Sequence, residues 1–230
     1  MENVIWVFMI INNKGITASQ LKLIALITMI IDHIGYILLP DIIILRYIGR
    51  IAFPIYAFLI GEGLLHSQNR KKYFFKIAIT FLVFEIISFF VEGSLSICVL
   101  YGFLCAIVIV QICEWAKKDI IKRRPIAAIP ISLLFISTVV FSSAYIFFAI
   151  ILPLIIYFTK NEKLKIFLFS ITLLMCGIVY WNYQILCIFA LIPILFYNKK
   201  KGKPLFFKNS FYVLYPLHYL IIGITKLIIT

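Results

Sequence analysis

The chain has 230 residues, of which 64% are hydrophobic and 13% are charged, with a formal net charge of +13 at pH 7. This composition excludes an ordinary water-soluble domain, in which about a quarter of the residues are charged. The net charge does not indicate a nucleic-acid-binding protein, because such proteins carry their basic residues on a solvated face. Here the basic residues lie between hydrophobic runs, so we expect the lipid bilayer as a partner and no nucleic acid.

The first twenty residues differ from the rest of the chain. Their apolar run, 4–11, is about 12 Å long as a helix, whereas the apolar core of a bilayer is about 30 Å thick. We therefore interpret residues 1–20 as an interfacial or re-entrant segment. Residues 21–230 are expected to form a single transmembrane bundle.

Nine hydrophobic runs follow along the chain. They predict an all-α, polytopic bundle of about nine membrane spans, with eight or ten as alternatives, and no soluble domain. The fifth and sixth runs are short enough to be tilted, broken or merged. The predicted spans are 21–39, 43–65, 74–91, 95–113, 126–141, 144–158, 165–180, 183–197 and 210–229.

Basic residues occur in every second connection between these runs. Cytoplasmic loops of membrane proteins carry an excess of lysine and arginine. We therefore expect the amino terminus and the basic loops in the cytoplasm, the carboxyl terminus outside, and the protein in the inner or plasma membrane of the cell.

The first two runs contain ionisable residues at positions that lipid disfavours. Asp32 and His33 lie near the middle of the first run, and Arg46 and Arg50 share one face of the second. A charge in a span costs about 2.5–3.5 kcal/mol, so it normally faces a protein interior or a wet cavity. Arg46 alone has a simple alternative, snorkelling to the interface, and Asp32 with Arg50 could be a purely structural ion pair. Together they indicate a functional site.

Other ionisable residues occur at later positions. Glu62 and His66 end the second run, Glu85 lies within the third, and His218 follows Pro216 in the last. Prolines in spans free a backbone carbonyl, which only protein or water tolerates, so Pro216 and Pro54 predict bends that line a cavity. Glu85 is open to two interpretations, a structural partner of Arg50 or a participant in the reaction. His218 is either a buried imidazole hydrogen-bonded to a neighbouring helix or a residue with a direct chemical role. The five cysteines lie in apolar runs without metal-ligand spacing, so we read them as small buried hydrophobic residues and predict no metal site.

Several of these elements occur together in one known family. The segments 21–25 and 29–35 include Asp32 and His33, and 45–55 carries Arg46, Arg50 and Pro54 at equal spacing. Glu62 with His66 and Tyr73, and the segment 215–218, complete the pattern. With these motifs the sequence resembles TraX, the membrane acetylases of conjugative pilin, from about residue 20 to the end.

The resemblance implies transfer of an acetyl group from acetyl-CoA to an amine, either a peptide amino terminus as in pilin or a related small acceptor. His33, Asp32 and Arg50 are the expected catalytic residues, with His33 as the base. Asp32 projects about 100° away from His33 on a helix, so we expect it to pair with Arg50 or Arg46 of the next helix. The arginine that stays free would hold the acceptor or stabilise the oxyanion.

The remaining expected contacts are those to substrate and donor. The basic residues that follow the second span are candidates for binding the CoA phosphates. The positive-inside rule alone also predicts basic residues in this loop, which is a simpler explanation for them. The substrate-binding candidates are Arg46, Glu62, His66, Glu85, Tyr215 and His218, and the candidates for the phosphates of acetyl-CoA are Arg70, Lys71 and Lys72.

Two other classes of protein fit the same residues. A proton-coupled transporter or permease also carries intramembrane Asp, His and Arg, but it would be expected to repeat its charged pattern, and here the charges cluster in the first third. A non-catalytic membrane assembly partner would bind no CoA and modify no amine.

Overall fold

A computed structural model describes residues 15–93, 97–140, 144–180, 183–203 and 209–229. This part of the chain is helical and contains no β-strand beyond an isolated bridge between Ile16 and Tyr197. The helices, in chain order, are α1 (Ala18–Ile37), α2 (Ile43–Gly49), α3 (Ala52–His66), α4 (Arg70–Glu92), α5 (Val99–Ala116), α6 (Ile120–Val140), α7 (Ala144–Phe158), α8 (Glu162–Val179), a 3-10 helix (Tyr183–Ala190), α9 (Leu191–Leu195) and α10 (Ser210–Ile229).

Helical structure occurs at each of the nine predicted hydrophobic runs. Five helical segments are long and apolar enough to cross a membrane, namely Ala18–Ile37, Ile43–His66, Arg70–Glu92, Val99–Ala116 and Ser210–Ile229. Two shorter apolar helices, Tyr145–Phe158 and Tyr183–Leu195, fall below the length of a span. An all-α, membrane-embedded protein is therefore confirmed, and the count of nine spans stays a prediction.

The basic residues lie differently from what the hydrophobic runs predicted. We expected Arg70, Lys71 and Lys72 in a loop before a span that begins at 74, but they form the first turn of α4. Arginine and lysine are good helix formers, and their long apolar stems can lie along a helix while the charge reaches water. Hydrophobicity therefore marks where a helix enters lipid, not where it begins.

The second span is interrupted at Arg50 and Ile51. Arg50 caps the end of α2, and α3 begins at Ala52. Pro54 lies in the first turn of α3, where its missing N–H group has no intrahelical acceptor to lose. The bend that we predicted for Pro54 is thus a break between two helices that precedes the proline.

The described residues divide into two compact units. One contains the residues up to Leu59 and from Leu173 onward, and the other contains Ile60–Thr172. In the first unit α1 packs against α2 and α10, and α2 packs against the 3-10 helix. In the second unit α5 packs against α4, α6 and α7.

The five cysteines are free thiols, as the sequence indicated. Cys105, Cys176 and Cys187 are buried, and Cys98 and Cys113 are half-buried. The interpretation of cysteines as small hydrophobic residues is therefore confirmed for the three buried ones.

Candidate functional site

The seam between α1 and α2 is held by one carboxylate and two guanidinium groups. Arg46 Nη1 donates to Asp32 Oδ2 at 2.8 Å and to the Asp32 carbonyl oxygen at 3.0 Å. Arg50 Nη2 donates to Asp32 Oδ1. All three side chains are largely buried, with exposed fractions of 14% for Asp32, 19% for Arg46 and 12% for Arg50. The predicted ion pair is confirmed, and it includes both arginines.

Two glycines make room for this seam. A Cβ atom at Gly49 would overlap the Asp32 carboxylate, and one at Gly35 would lie 2.7 Å from the Cβ atom of Leu45. Small residues at helix contacts in membranes allow backbones to approach closely. The seam therefore needs glycine at both positions to bring the carboxylate within reach of the arginines.

Arg50 is held on several sides. Its Nε donates to the Arg46 carbonyl at 3.1 Å, its Nη1 donates to Gln184 Oε1 at 3.1 Å, and its guanidinium carbon lies 5.4 Å from the centroid of the Tyr183 ring. Gln184 is buried in the 3-10 helix. Gln184 was not among the residues predicted from the sequence, although an amide at the start of the apolar run 183–197 was a usable signal. These contacts make Arg50 a fixed part of the scaffold.

Arg46 is less fully engaged. The expectation that one arginine stays free of Asp32 is wrong, because the carboxylate has two oxygens and each accepts from a different guanidinium. Arg46 nevertheless uses only Nη1 for its hydrogen bonds to described residues, while its guanidinium carbon lies 5.0 Å from the centroid of the Tyr36 ring. Its Nε and Nη2 donors therefore remain available to a substrate.

A pair of imidazoles joins α1 to α10. His33 Nδ1 lies 2.8 Å from His218 Nε2, and the two rings are stacked with centroids 5.0 Å apart. The Tyr219 ring packs edge-on against His33 at 5.0 Å. Asp32 faces α2 and His33 faces α10, as their 100° separation on a helix requires. The single turn 32–33 thus carries both the charged cluster and the imidazole pair.

The hydrogen bonds of His218 fix the direction of the pair. Its Nδ1 lies 3.3 Å from the Leu214 carbonyl oxygen, which can only accept. In a neutral imidazole one nitrogen donates and the other accepts, so His218 Nδ1 carries the proton and His218 Nε2 accepts from His33 Nδ1. By the same rule His33 Nε2 is then the unprotonated nitrogen. This arrangement leaves the basic lone pair on His33.

Tyr215 packs against the imidazole pair. It is buried, and its ring lies edge-on to His218 at 6.0 Å and to Tyr56 at 5.8 Å. These contacts place the predicted substrate-binding tyrosine next to the histidine that orients His33. Contact between Tyr215 and substrate stays a prediction.

Three of the predicted substrate-binding residues, Glu62, His66 and Glu85, lie in the second unit. His66 Nδ1 lies 2.9 Å from the Glu62 carbonyl oxygen and 3.8 Å from Glu62 Oε2, with 70% of its side chain exposed. Glu85 is buried, and its Oε1 accepts from the backbone N–H of Cys98 at 2.9 Å. Glu85 therefore helps to hold the start of α5. Roles for these residues toward substrate stay predictions.

An open, polar groove lies in the second unit where α3 and α5 end and α4 begins. Its volume is about 660 Å³, and its lining residues are Ser67, Gln68, Asn69, Arg70, Lys71, Gln111, Glu114, Trp115 and Lys118. Arg70 also donates from Nη2 to the Tyr157 hydroxyl at 2.8 Å. Lys72 is exposed on the same turn of α4 but lies outside this lining. Two of the three residues predicted for the donor phosphates therefore share a groove.

The candidate residues belong to both units of the described chain. Asp32, His33, Arg46, Arg50, Tyr215 and His218 belong to the first unit, and Glu62, His66, Arg70, Lys71, Lys72 and Glu85 belong to the second. Among the described residues no group of three or more His, Cys, Asp or Glu side chains is placed to hold a metal ion.

Comparison with known proteins gives local matches to two curated relatives. The chain is 40% identical over 65 residues to the "Probable fimbrial assembly protein FimC, serogroup H1" of Dichelobacter nodosus, which covers 26% of this chain and 27% of that protein. It is 40% identical over 62 residues to an uncharacterized protein of Rickettsia prowazekii (strain Madrid E), covering 27% of this chain and 25% of that one. The chain thus spans about a quarter of the length of these relatives. No solved structure matches.

The family comparison covers most of the chain. The family model described as "TraX protein" matches residues 17–226, which include α1 with Asp32 and His33, α2 with both arginines, and α10 with His218. The chain belongs to the TraX family.

Proposed function

We propose that this protein is an integral-membrane acetyltransferase that moves an acetyl group from acetyl-CoA to an amine, with a peptide amino terminus, as in pilin, as the leading acceptor. The observation that carries the proposal is the hydrogen-bonded pair of His33 and His218 directly beside the Asp32–arginine cluster. Membership of the TraX family supports it. We place the protein in the inner or plasma membrane, with a cytoplasmic amino terminus.

The imidazole pair supplies a base of defined direction. His33 Nε2 accepts a proton from the acceptor amine as the amine nitrogen attacks the thioester carbonyl carbon. His218 keeps His33 in the tautomer that can accept, because its own Nδ1 is committed to the Leu214 carbonyl. When the carbon–sulfur bond breaks, the proton passes from His33 to the departing CoA thiolate. The products are an N-acetylated amine and CoA.

The charged cluster supplies stabilisation of the developing negative charge. One carboxylate and two guanidinium groups leave the cluster with a net positive charge, which favours an oxyanion. Arg46 is the better donor, since its Nε and Nη2 have no protein acceptor among the described residues. Arg50 already donates hydrogen bonds to Arg46, Gln184 and Asp32. We therefore assign oxyanion stabilisation to Arg46 and a positioning role to Arg50. Tyr215, beside His218, borders the acceptor.

The polar groove of the second unit supplies a place for the donor. CoA is a polyanion, and Arg70, Lys71 and Lys118 present cations at one groove with the Trp115 ring, which can stack on adenine. Arg70 is anchored by Tyr157, so Lys71 and Lys118 are the cations that can move to meet phosphates. Lys72, exposed on the same turn, adds long-range attraction. Glu62, His66 and Glu85 act as structural or substrate contacts.

The direct experiment is to incubate the purified protein with isotope-labelled acetyl-CoA and membrane extract, and to identify by mass what gains the acetyl group. His33→Ala and His33→Gln should each lower the rate of acetyl transfer by about a hundredfold or more, as expected for loss of a general base. Both variants should remain in the membrane. Retained transfer by either variant would remove His33 from the mechanism.

A matched control comes from the same helix. Ile27 lies on an exposed face of α1, and Ile27→Ala changes a side chain of α1 outside the imidazole pair. Transfer by Ile27→Ala should equal that of the wild type. Loss of transfer in this control would show that substitutions in α1 act through folding alone.

A non-catalytic assembly role is the second candidate, and the name of the Dichelobacter nodosus relative favours it. In cells that depend on this protein for surface pili, the two functions separate in the His33→Gln variant. If the protein is catalytic, cells with the His33→Gln variant should make pili whose subunits lack the acetyl group. If it only assists assembly, pili of the His33→Gln variant should be the same as those of the wild type. A transporter would instead move substrate into vesicles without consuming acetyl-CoA.

A further inference from the structure

A second groove in the Ile60–Thr172 unit differs in character from the polar one. Its volume is about 560 Å³, within the range of about 300–1,000 Å³ that is typical of ligand sites. It is lined by Cys113, Ala116, Lys117, Arg124, Ala127, Ala128, Ile131, Ser132 and Phe158. Most of this lining is apolar and much of it is small, so the hollow exists because alanines stand where larger side chains would fill it.

The groove has a charged end and an apolar end. Lys117 follows the last residue of α5, and Arg124 lies in the second turn of α6. Ser132 lies eight residues beyond Arg124, about 12 Å farther along the helix. From Pro125 to Val140 the helix contains no charged residue. The groove therefore runs from two cations into an apolar stretch.

The two cations differ in what holds them. Lys117 Nζ contacts Glu114 Oε1 at 2.5 Å and lies 5.9 Å from the centroid of the Phe158 ring, which also lines the groove. Arg124 is exposed and makes no hydrogen bond or ion pair with the described residues. A phosphate between them would accept hydrogen bonds from Arg124, and it would be a second anionic partner for Lys117 beside Glu114.

The outer face of α6 is apolar as well. Ile126, Ile129 and Leu133 are exposed by 58%, 65% and 60%. In a membrane protein such a face meets lipid, and it lies on the side of α6 opposite the groove-lining Arg124 and Ala128. Lipid therefore contacts the helix whose other side forms a wall of the groove. Basic pockets between membrane helices on the cytoplasmic side are suited to anionic lipid head groups.

We propose that this groove is a binding site for an anionic glycerophospholipid, with one acyl chain along Ala127, Ala128 and Ile131 and the phosphate on Lys117 and Arg124. The proposal is independent of acetyl transfer, since none of these residues belongs to the imidazole pair, the charged cluster or the polar groove. It predicts selectivity for phosphatidylglycerol over phosphatidylcholine, which has the same chains and no net charge.

The test uses the full-length protein in nanodiscs or mild detergent, with phosphatidylglycerol and phosphatidylcholine as probes and native mass spectrometry as the readout. Each basic residue near an anionic membrane surface contributes about 1 kcal/mol, or roughly fivefold in affinity. The double variant Lys117→Gln/Arg124→Gln should therefore weaken phosphatidylglycerol binding by roughly 25-fold. The charge-matched control Lys163→Gln/Lys203→Gln should change it less than twofold.

A second pair of variants tests the apolar part. Ala128 is exposed along the groove, so Ala128→Phe should fill the hollow without disturbing a packed core. It should abolish retention of phosphatidylglycerol, while Ile129→Phe, on the neighbouring exposed position, should retain it. Equal binding of the two lipids by the wild type, or undiminished retention by Ala128→Phe, would overturn the proposal.

A photoactivatable phosphatidylglycerol provides a measurement on the unmodified chain. Its acyl probe should cross-link to a peptide containing residues 127–132 or Phe158. Cross-links confined to other helices would overturn the proposal even if the variants failed to fold.

Discussion

Replacing Asp32 by asparagine tests whether the carboxylate is an anchor of the fold. Asp32 accepts charge-assisted hydrogen bonds from both Arg46 and Arg50, and no side chain of the three is more than 19% exposed. Breaking a buried pair by removing one partner costs about 3–5 kcal/mol. Asparagine keeps one oxygen that can accept, which recovers about 1 kcal/mol. We therefore expect the free energy of unfolding to fall by about 2–4 kcal/mol.

The assay is reversible unfolding in mixed micelles, followed by circular dichroism, together with a double-mutant cycle. Asp32→Asn combined with Arg46→Gln, and separately with Arg50→Gln, should each show a coupling of at least about 1 kcal/mol. Asp41→Asn is the matched control, because it makes the same chemical change at an exposed loop position and should alter stability by less than about 0.5 kcal/mol. Wild-type stability of Asp32→Asn with complete loss of acetyl transfer would refute the anchoring role and assign Asp32 to the chemistry.

Four further predictions follow from the same geometry. Gly49→Ala should lower the free energy of unfolding by about 1–3 kcal/mol, because its methyl group overlaps the carboxylate of the seam; the same micelle titration measures it. His218→Phe keeps an aromatic ring but removes the acceptor for His33, so the initial rate of transfer should fall about a hundredfold, with partial recovery in His218→Gln. Lys71→Gln should raise KM for acetyl-CoA about tenfold at unchanged kcat, as expected for loss of uniform binding. Arg46→Gln should reduce kcat more than Arg50→Gln does, whereas Arg50→Gln should cost more stability, and a reversed order would exchange their assigned roles.

Much of the first unit could be predicted because its information is local. The spacing of Arg46 and Arg50 placed both on one face, and the adjacency of Asp32 and His33 placed them on two faces. These inferences depend only on helix geometry and on the cost of an unpaired charge in lipid. They correctly predicted that the aspartate would meet the arginines of the next helix.

The partners from distant parts of the chain could not be predicted in the same way. His33 and His218 are 185 residues apart in sequence, and hydrophobic periodicity does not say which helices are neighbours in a bundle. Gln184 reaches Arg50 across 134 residues. The break at Arg50 and Ile51 was missed because the run 43–65 is predominantly apolar on both sides of it, so hydrophobicity gave no boundary.

The adjacency of Asp32 and His33 makes the effects of their substitution unequal. The ion pair determines how closely α1 approaches α2, and the same turn of α1 holds the His33 ring against α10. Loss of the carboxylate releases that turn and must disturb the imidazole pair as well as the seam. Loss of the His33 ring removes its hydrogen bond to His218 and leaves both guanidinium contacts of Asp32 in place. Stability and acetyl transfer should therefore fail together at position 32, whereas acetyl transfer alone should fail at position 33, an asymmetry that a purely catalytic aspartate would not produce.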